Sequence, residues 1–434
     1  MPTLVLQCGH ENLRANMATS EYRRGHGTPH LVKVIGPVLR PSPHRQATLD
    51  LLKWSLLTEG QPRKGFFNTM TQRAYNFAAG PAVLPESVLA QVQREMMALP
   101  GPRASILEIS HRSSTFKEII EAAEANLRTL LRISDDYSVL FLQGGGRLLF
   151  SMIPMNLLTK ELPSADYILT GTWGKAALKE AKKIGPMNVA WDGADSKYTF
   201  TPADGDLKLD PRAAFVHYTC NETIEGVQFP TEPQVGQVPL MCDASSDFLH
   251  RPLPIDRYGM IYACAQKNLG PAGVSIVVVR KDLLERSSDQ LGSYLNFKLH
   301  ADEGSLMNTA PTFAIYVVRL VTDWLLSEFG TLEKMHEVNR SKAKLLYEAI
   351  DSSNGFYEGH ARRDCRSLMN VSFRLPSEEM TNAFLKQSEA ADLTALAGHR
   401  SVGGIRASIY NAMPVAGVEA LRDFMVDFRD KHAK

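Results

Sequence analysis

Apolar positions recur along this chain at two spacings, helical and strand-like, and both become regular only from Ala74 onward. Residues 85–99 carry apolar side chains at helical spacing behind a proline suited to a first helical turn, which predicts a helix. Residues 116–131 predict another. Short apolar runs then alternate with helical or turn segments. The run 137–142 leads into Gly144-Gly145-Gly146 and a helix through Leu158. The run 166–169 leads into Gly171-Thr172-Trp173-Gly174 and a lysine-rich helix to Lys183. Further strands are predicted over 213–219, 238–242, 260–265 and 274–279. Strands separated in this way predict an α/β fold with a large, mainly parallel sheet. After Pro311 the pattern changes to long amphipathic helices over 312–329 and 332–351. A strand over 369–374, a helix over 381–391 and a last helix from Val415 follow, which predicts a smaller α+β domain. No internal repeat or low-complexity tract interrupts the order.

Composition narrows the class. The chain has 434 residues, 44% hydrophobic and 22% charged, enough for two domains with cores of their own. The formal net charge of +1 carries no electrostatic signature of nucleic-acid binding, although local basic clusters could still hold small anions. The five cysteines, Cys8, Cys220, Cys242, Cys264 and Cys365, are odd in number and form no CxxC pair. That argues against a disulfide framework or a cysteine metal site, and for reduced thiols in a cytoplasmic protein. No apolar run approaches the roughly 20 residues that cross a bilayer, and the stretch 31–39 is broken by Lys33 and Pro37. The first 70 or so residues are rich in Arg, His and Pro and poor in acids. Three readings fit them: a disordered basic tail, a targeting segment, or sequence upstream of a start at Met70.

Several residues sit where chemistry could be placed. Lys267 follows the apolar run 260–265 directly, inside a turn of small residues. A buried lysine favours the neutral amine that Schiff-base chemistry needs; a lysine that simply ends a strand is the bland alternative. Asp243 ends the run 238–242, where α/β sheets bind ligands, and pyridoxal phosphate (PLP) needs an acidic partner for its ring nitrogen. A helix cap or Asx turn is the local alternative, since Ala-Ser-Ser follows. The spacing of Asp243 and Lys267 leaves room for one strand between them. Gly144-Gly145-Gly146-Arg147 joins a strand to a helix and offers an anion cradle, without the spacing of a dinucleotide or P-loop motif; a tight turn explains it equally. Trp173, in the next strand-to-helix loop, could stack on a flat ring or fill a core. His111-Arg112, His399-Arg400 and Arg406 form a basic constellation suited to carboxylate or phosphate, or scattered surface charge.

Taken together, these segments resemble the phosphoserine aminotransferases, within the class-V aminotransferase family. The resemblance rests on Asn76-Phe77-Ala78-Ala79-Gly80-Pro81, Ser110-His111-Arg112-Ser113, Gln143-Gly144-Gly145-Gly146-Arg147, Asn221-Glu222-Thr223, the run 265–273 around Lys267, Asn308-Thr309-Ala310-Pro311-Thr312, and Gly403-Gly404-Ile405-Arg406-Ala407-Ser408. These follow one another in the family's order from about Ala74 to the carboxyl end. The resemblance implies a fold-type I, PLP-dependent homodimer, with a large domain over 85–328 and a small one from 74–84 plus 329–434. Residues 1–69 become an extension outside it, with Met70 close to where such chains begin.

The resemblance also implies roles. Lys267 bonds the cofactor as a Schiff base and moves a proton. Asp243 pairs with the ring nitrogen, Trp173 stacks, and Thr223 hydrogen-bonds the cofactor. Gly146, Arg147 and Gln266 hold the phosphate, the Arg147 contact coming through backbone. Asn308 and Thr309 reach that phosphate from the other subunit. Arg112 and Arg406 serve substrate carboxylate, His399 and Arg400 a substrate phosphate, and His111 also binds substrate. Ala79 stands where many relatives carry a hydroxyl, so it makes no side-chain hydrogen bond. The implied reaction transfers an amino group between glutamate and a phosphorylated 2-oxo acid, in serine biosynthesis and, for some relatives, pyridoxine biosynthesis. Two rivals have different signatures. A PLP desulfurase or lyase needs a mobile cysteine, and the only late one is Cys365. A nucleotide-binding protein that is not an enzyme would use the glycine loop alone.

Overall fold

The computed structural model describes residues 73–400 and 402–433. The extension expected over 1–69, the start at Met70 and Cys8 all lie outside the described residues. The strands are β1 (Tyr75–Asn76), β2 (Tyr137–Leu142), β3 (Ala165–Leu169), β4 (Met187–Asp192), β5 (Val216–Thr219), β6 (Asn221–Glu222), β7 (Val227–Gln228), β8 (Leu240–Asp243), β9 (Tyr258–Cys264), β10 (Ser275–Arg280), β11 (Glu358–Gly359), β12 (Asn370–Arg374), β13 (Leu393–Thr394) and β14 (Ile405–Ser408). Seven of them form the main sheet, in the order β2-β10-β9-β8-β5-β3-β4. All neighbours run parallel except β10, which is antiparallel to both β9 and β2. Strands β2, β9, β8, β5 and β3 therefore end on the same edge, and the loops that leave them converge there.

Both faces of the sheet are buried, which is why its central strands read as continuous apolar runs rather than as alternation. Successive residues feed opposite layers. Val139 and Phe141 of β2, Ile261 and Ala263 of β9, and Ile276 and Val278 of β10 join one cluster with helices Ser114–Leu131 and Thr312–Glu328. Leu140, Leu142, Met260, Tyr262, Val277 and Val279 join the other, against helices Gly145–Leu157 and Thr172–Ala181. A third cluster gathers β12, β14 and the helices Leu332–Asp351, Glu378–Ala390 and Val415–His432. Strand β1 pairs parallel with β13, so the start of the described chain is laced to its carboxyl-terminal part.

The structure departs from the sequence expectation in a few places. Strand β4 was not expected. It is a sheet edge whose side chains are mostly half-exposed, and its sequence MNVAWD lacks an apolar run. The β6–β7 pair also escaped, since two-residue strands leave no periodicity. Helix Glu378–Ala390 begins earlier than expected because the Ser377 hydroxyl accepts from Met380 N at 3.2 Å, an N-cap. Among the described residues no helix is long and apolar enough to cross a membrane.

Lys342 is a buried exception to the usual solvated lysine. It is fully enclosed, and its Nζ donates to Tyr410 O at 2.7 Å and Met413 O at 3.2 Å. Burial pushes its pKa down to about 7. Between that value and the ordinary lysine range the unfolded chain binds the extra proton, so folding stability rises with pH across that window and is lost as pH falls toward about 7. Lys342→Met is expected to flatten this slope, read as the urea midpoint at pH 7.5 and 9.5. An unchanged slope would rule the linkage out.

Candidate active site

Five loops at the carboxyl edge of the main sheet, after β2, β3, β5, β8 and β9, build one cavity of about 450 Å³. This lies within the range of about 300–1,000 Å³ typical of small-molecule sites. After β2, Gly144 turns the chain at φ 90° into helix Gly145–Leu157. A side chain there would be strained, and its Cβ would meet Leu148 at 2.3 Å. The turn presents the helix N-terminus to the cavity, and Gly146 N donates to Cys264 Sγ at 3.0 Å.

Lys267 follows β9. Its Nζ donates to Thr223 Oγ1 at 2.7 Å and lies 5.5 Å from the centroid of the Trp173 ring. Burial lowers its pKa, and the nearby Asp243 carboxylate opposes that shift. Asp243 closes β8. Burial raises its pKa, while Lys267, Ser245 and Tyr262 favour its ionised form. Its Oδ1 also accepts from Ser245 N at 2.9 Å. The Asx turn and the cavity-lining role are therefore both real.

Behind Asp243 stands a relay that single-residue reading could not find. Tyr262 is its cross-strand partner on β9, and its hydroxyl helps to lower the pKa of the Asp243 carboxyl against burial. The Tyr262 hydroxyl is 2.9 Å from His217 Nε2. Burial pushes His217 down to about 3, so the imidazole is neutral. If Tyr262 donates to Asp243, the ring proton belongs on His217 Nε2, donating to the tyrosine oxygen. The signal in the sequence was too weak to use, because only the β8–β9 register sets Tyr262 opposite Asp243.

Of the residues singled out from sequence, Gly146, Arg147, Trp173, Thr223, Asp243, Gln266, Lys267, His399 and Arg406 line this cavity. Ala79 and Gly80 reach it from the segment after β1. Trp173 occupies the first turn of its helix rather than the loop before it. Trp173 Nε1 and Arg406 Nε are buried without a hydrogen-bond partner among the described residues, donors left available to a ligand. His111, Arg112, Asn308, Thr309 and Arg400 do not line it. His111 is buried, whereas Arg112, Thr309 and Arg400 are exposed. The 308–309 segment is tied to the glycine loop by Gln143 Nε2, which donates to Thr309 O at 3.1 Å. Cys365 is buried, with its thiol pushed up to about 11 by burial, which disfavours the thiolate a desulfurase needs.

Residues 74–421 match the family model for class-V aminotransferases. The chain belongs to the class-V aminotransferase family. Among curated members, it is 57% identical over 363 residues to the phosphoserine aminotransferase of Rhodopirellula baltica, covering 83% of this chain and 96% of that one. Among solved structures, it is similar to the phosphoserine aminotransferase of Bacillus circulans subsp. alkalophilus, at 47% identity and a TM-score of 0.81, over 83% of this chain and 99% of that one. A PLP-bound phosphoserine aminotransferase from Trichomonas vaginalis matches at 38% identity and a TM-score of 0.77, over 82% of this chain and all of that one. Within this class-V aminotransferase, the mainly parallel sheet and its covering helices are thus the shared framework.

Proposed function

We propose that the protein is a phosphoserine aminotransferase, which moves the amino group between glutamate and 3-phosphohydroxypyruvate to give 2-oxoglutarate and O-phosphoserine. The observation that carries this reading is the Lys267 amine, held by Thr223 and facing the Trp173 ring in a cavity that also contains Asp243 and the glycine loop. These residues fit PLP: a buried amine for its aldehyde carbon, a carboxylate for its ring nitrogen, an aromatic face for the ring, and helix-start amides for its phosphate. When bound, the cofactor supplies the electron sink that lets a proton leave the substrate Cα and return.

The chain's own groups divide the remaining work. Lys267 Nζ, its pKa lowered by burial, is suited to carry a proton between the substrate Cα and the cofactor's aldehyde carbon. The Thr223 hydroxyl orients that amine. Tyr262 and Ser245 hold the Asp243 carboxylate ionised against burial. Gly146, Gln266 and the Arg147 backbone would hold the cofactor's phosphate. Arg406, with a buried donor unused, would take the substrate carboxylate bidentately together with Arg112 and His111. His399 and Arg400 would select a substrate phosphate.

Residues expected at the site but absent from the cavity of one chain suit a homodimer, with Asn308 and Thr309 of each subunit completing the phosphate site of the other. The proposed division is a large domain over 85–328 and a small one from 74–84 plus 329–434, in a cytoplasmic enzyme that binds neither nucleic acid nor membrane. A further phosphorylated hydroxy acid of pyridoxine biosynthesis fits the same cationic pocket.

A coupled assay with glutamate tests the substrate. 3-Phosphohydroxypyruvate is expected to be strongly preferred over hydroxypyruvate. His399→Ala with Arg400→Ala should cut that preference by about 10- to 100-fold, the worth of a lost charged hydrogen bond or two. Equal rates for the two acceptors in the wild type would overturn the phosphate assignment.

A further inference from the structure

The helix that carries Trp173 has no capping side chain of its own, because its N-cap is Gly171. The first N–H groups of a helix have no intrahelical partners. Here two glutamates distant in sequence take them. Glu222 Oε2 accepts from Trp173 N at 2.9 Å, and Glu222 Oε1 accepts from Gly174 N at 2.8 Å. Glu225 Oε1 accepts from Thr172 N at 3.0 Å and from the Thr172 hydroxyl at 2.6 Å. Both glutamates are buried. Burial and the neighbouring Glu225 push the Glu222 pKa up, and the Gly174 and Trp173 N–H groups, one on each of its oxygens, oppose that shift.

The glycines on either side of Trp173 record the same carboxylate. A Cβ on Gly171 would come within 2.6 Å of Glu222 Cδ, and one on Gly174 within 3.3 Å of Glu222 Oε1. Gly171 has an extended φ of 173°, so the close approach, and not the backbone conformation, requires glycine there. Glu222 also precedes Thr223 directly, the residue whose hydroxyl accepts from Lys267 Nζ at 2.7 Å. One buried side chain thus links the backbone beneath the aromatic ring to the short strand that the lysine's partner, Thr223, directly follows.

We propose that Glu222 is a positioning residue that fixes the Trp173 ring over the cofactor site, and so sets the orientation of the ring bound there. This rests on the reading of the cavity as a PLP site. It is tested on holoenzyme by PLP affinity, from equilibrium dialysis, and by the circular dichroism of the bound cofactor's visible band, which reports ring orientation. Glu222→Gln keeps the shape but turns one acceptor into a donor facing a backbone N–H. Gly171→Ala keeps Glu222 and displaces its carboxyl group. Each variant is expected to bind PLP about tenfold more weakly, as loss of one buried hydrogen bond implies, and to lose much of the visible dichroism. The double variant should be scarcely worse than either single one, since both break the same contact. A merely structural role would lower the melting temperature and leave the affinity and dichroism of the folded protein unchanged, and that result overturns the proposal. If Glu222→Gln does not fold, Gly171→Ala decides alone. Wild type that binds no PLP would instead overturn the reading of the cavity, a failure distinct from variants that match a PLP-binding wild type.

Discussion

Lys267→Ala is expected to lower transamination by about ten-thousand-fold or more, the upper range for loss of a positioned proton-transfer group, and to abolish the visible absorption of bound cofactor. The amine is the only side-chain nitrogen shown to donate to Thr223 Oγ1 among the described hydrogen bonds. Among the described residues lining the cavity, there is no second lysine to substitute for it. The variant should nevertheless fold. Burial lowers the pKa of Lys267, so the apo protein holds this amine at a cost that alanine removes. The stability linked to a depressed lysine pKa is full above the ordinary lysine range and lost as pH falls through the folded value. Apo Lys267→Ala is therefore expected to melt no lower than apo wild type at neutral pH. Absorbance, a coupled assay and a melting curve on the same preparation check all three. A variant that kept the visible band would refute the assignment of the cofactor lysine.

Asp243→Asn should cost about 10²- to 10⁴-fold in turnover, because a neutral amide cannot keep a proton on a pyridine nitrogen. The substitution is nearly isosteric. The asparagine oxygen can still accept from Ser245 N, as Asp243 Oδ1 does at 2.9 Å, so the turn after β8 should persist. Burial raises the pKa of Asp243, and a carboxyl with a raised folded pKa contributes stability below its unfolded value that is lost as pH rises through the folded one. In the apo protein the carboxylate is thus a burden at neutral pH, and Asp243→Asn should not reduce the melting temperature there. The loss is expected in kcat more than in KM, since the charge acts on the cofactor and not on the substrate. Turnover within a few-fold of wild type would remove Asp243 from the cofactor's partners.

Much of the site was legible from the chain alone. Lys267, Asp243 and the glycine loop each follow a short apolar run, and strand ends in an α/β sheet are where ligands bind. Helix Leu332–Asp351 was readable to the residue, because its amphipathic pattern is long and Thr331 caps it. Resemblance to a known family supplied roles that spacing could not, such as those of Gln266 and Thr223. The missed side chains share one cause. Tyr262, His217 and Glu222 act through neighbours brought close by strand register or by a turn, and nothing local marks them. Strand β4 was missed because an edge strand needs no apolar run.

The sequence by itself determined most of the helices, the apolar strands of the main sheet, and which carboxylate and lysine stand at the ends of two such strands. Those properties depend on periodicity and on turn chemistry within a few residues. Tertiary structure decided the strand order that sends five loops to one edge, the β8–β9 pairing that sets Tyr262 behind Asp243, and the fit of Glu222 into the space left by Gly171 and Gly174. These are contacts between residues far apart along the chain, and only the packed sheet and its helices bring them within hydrogen-bonding reach.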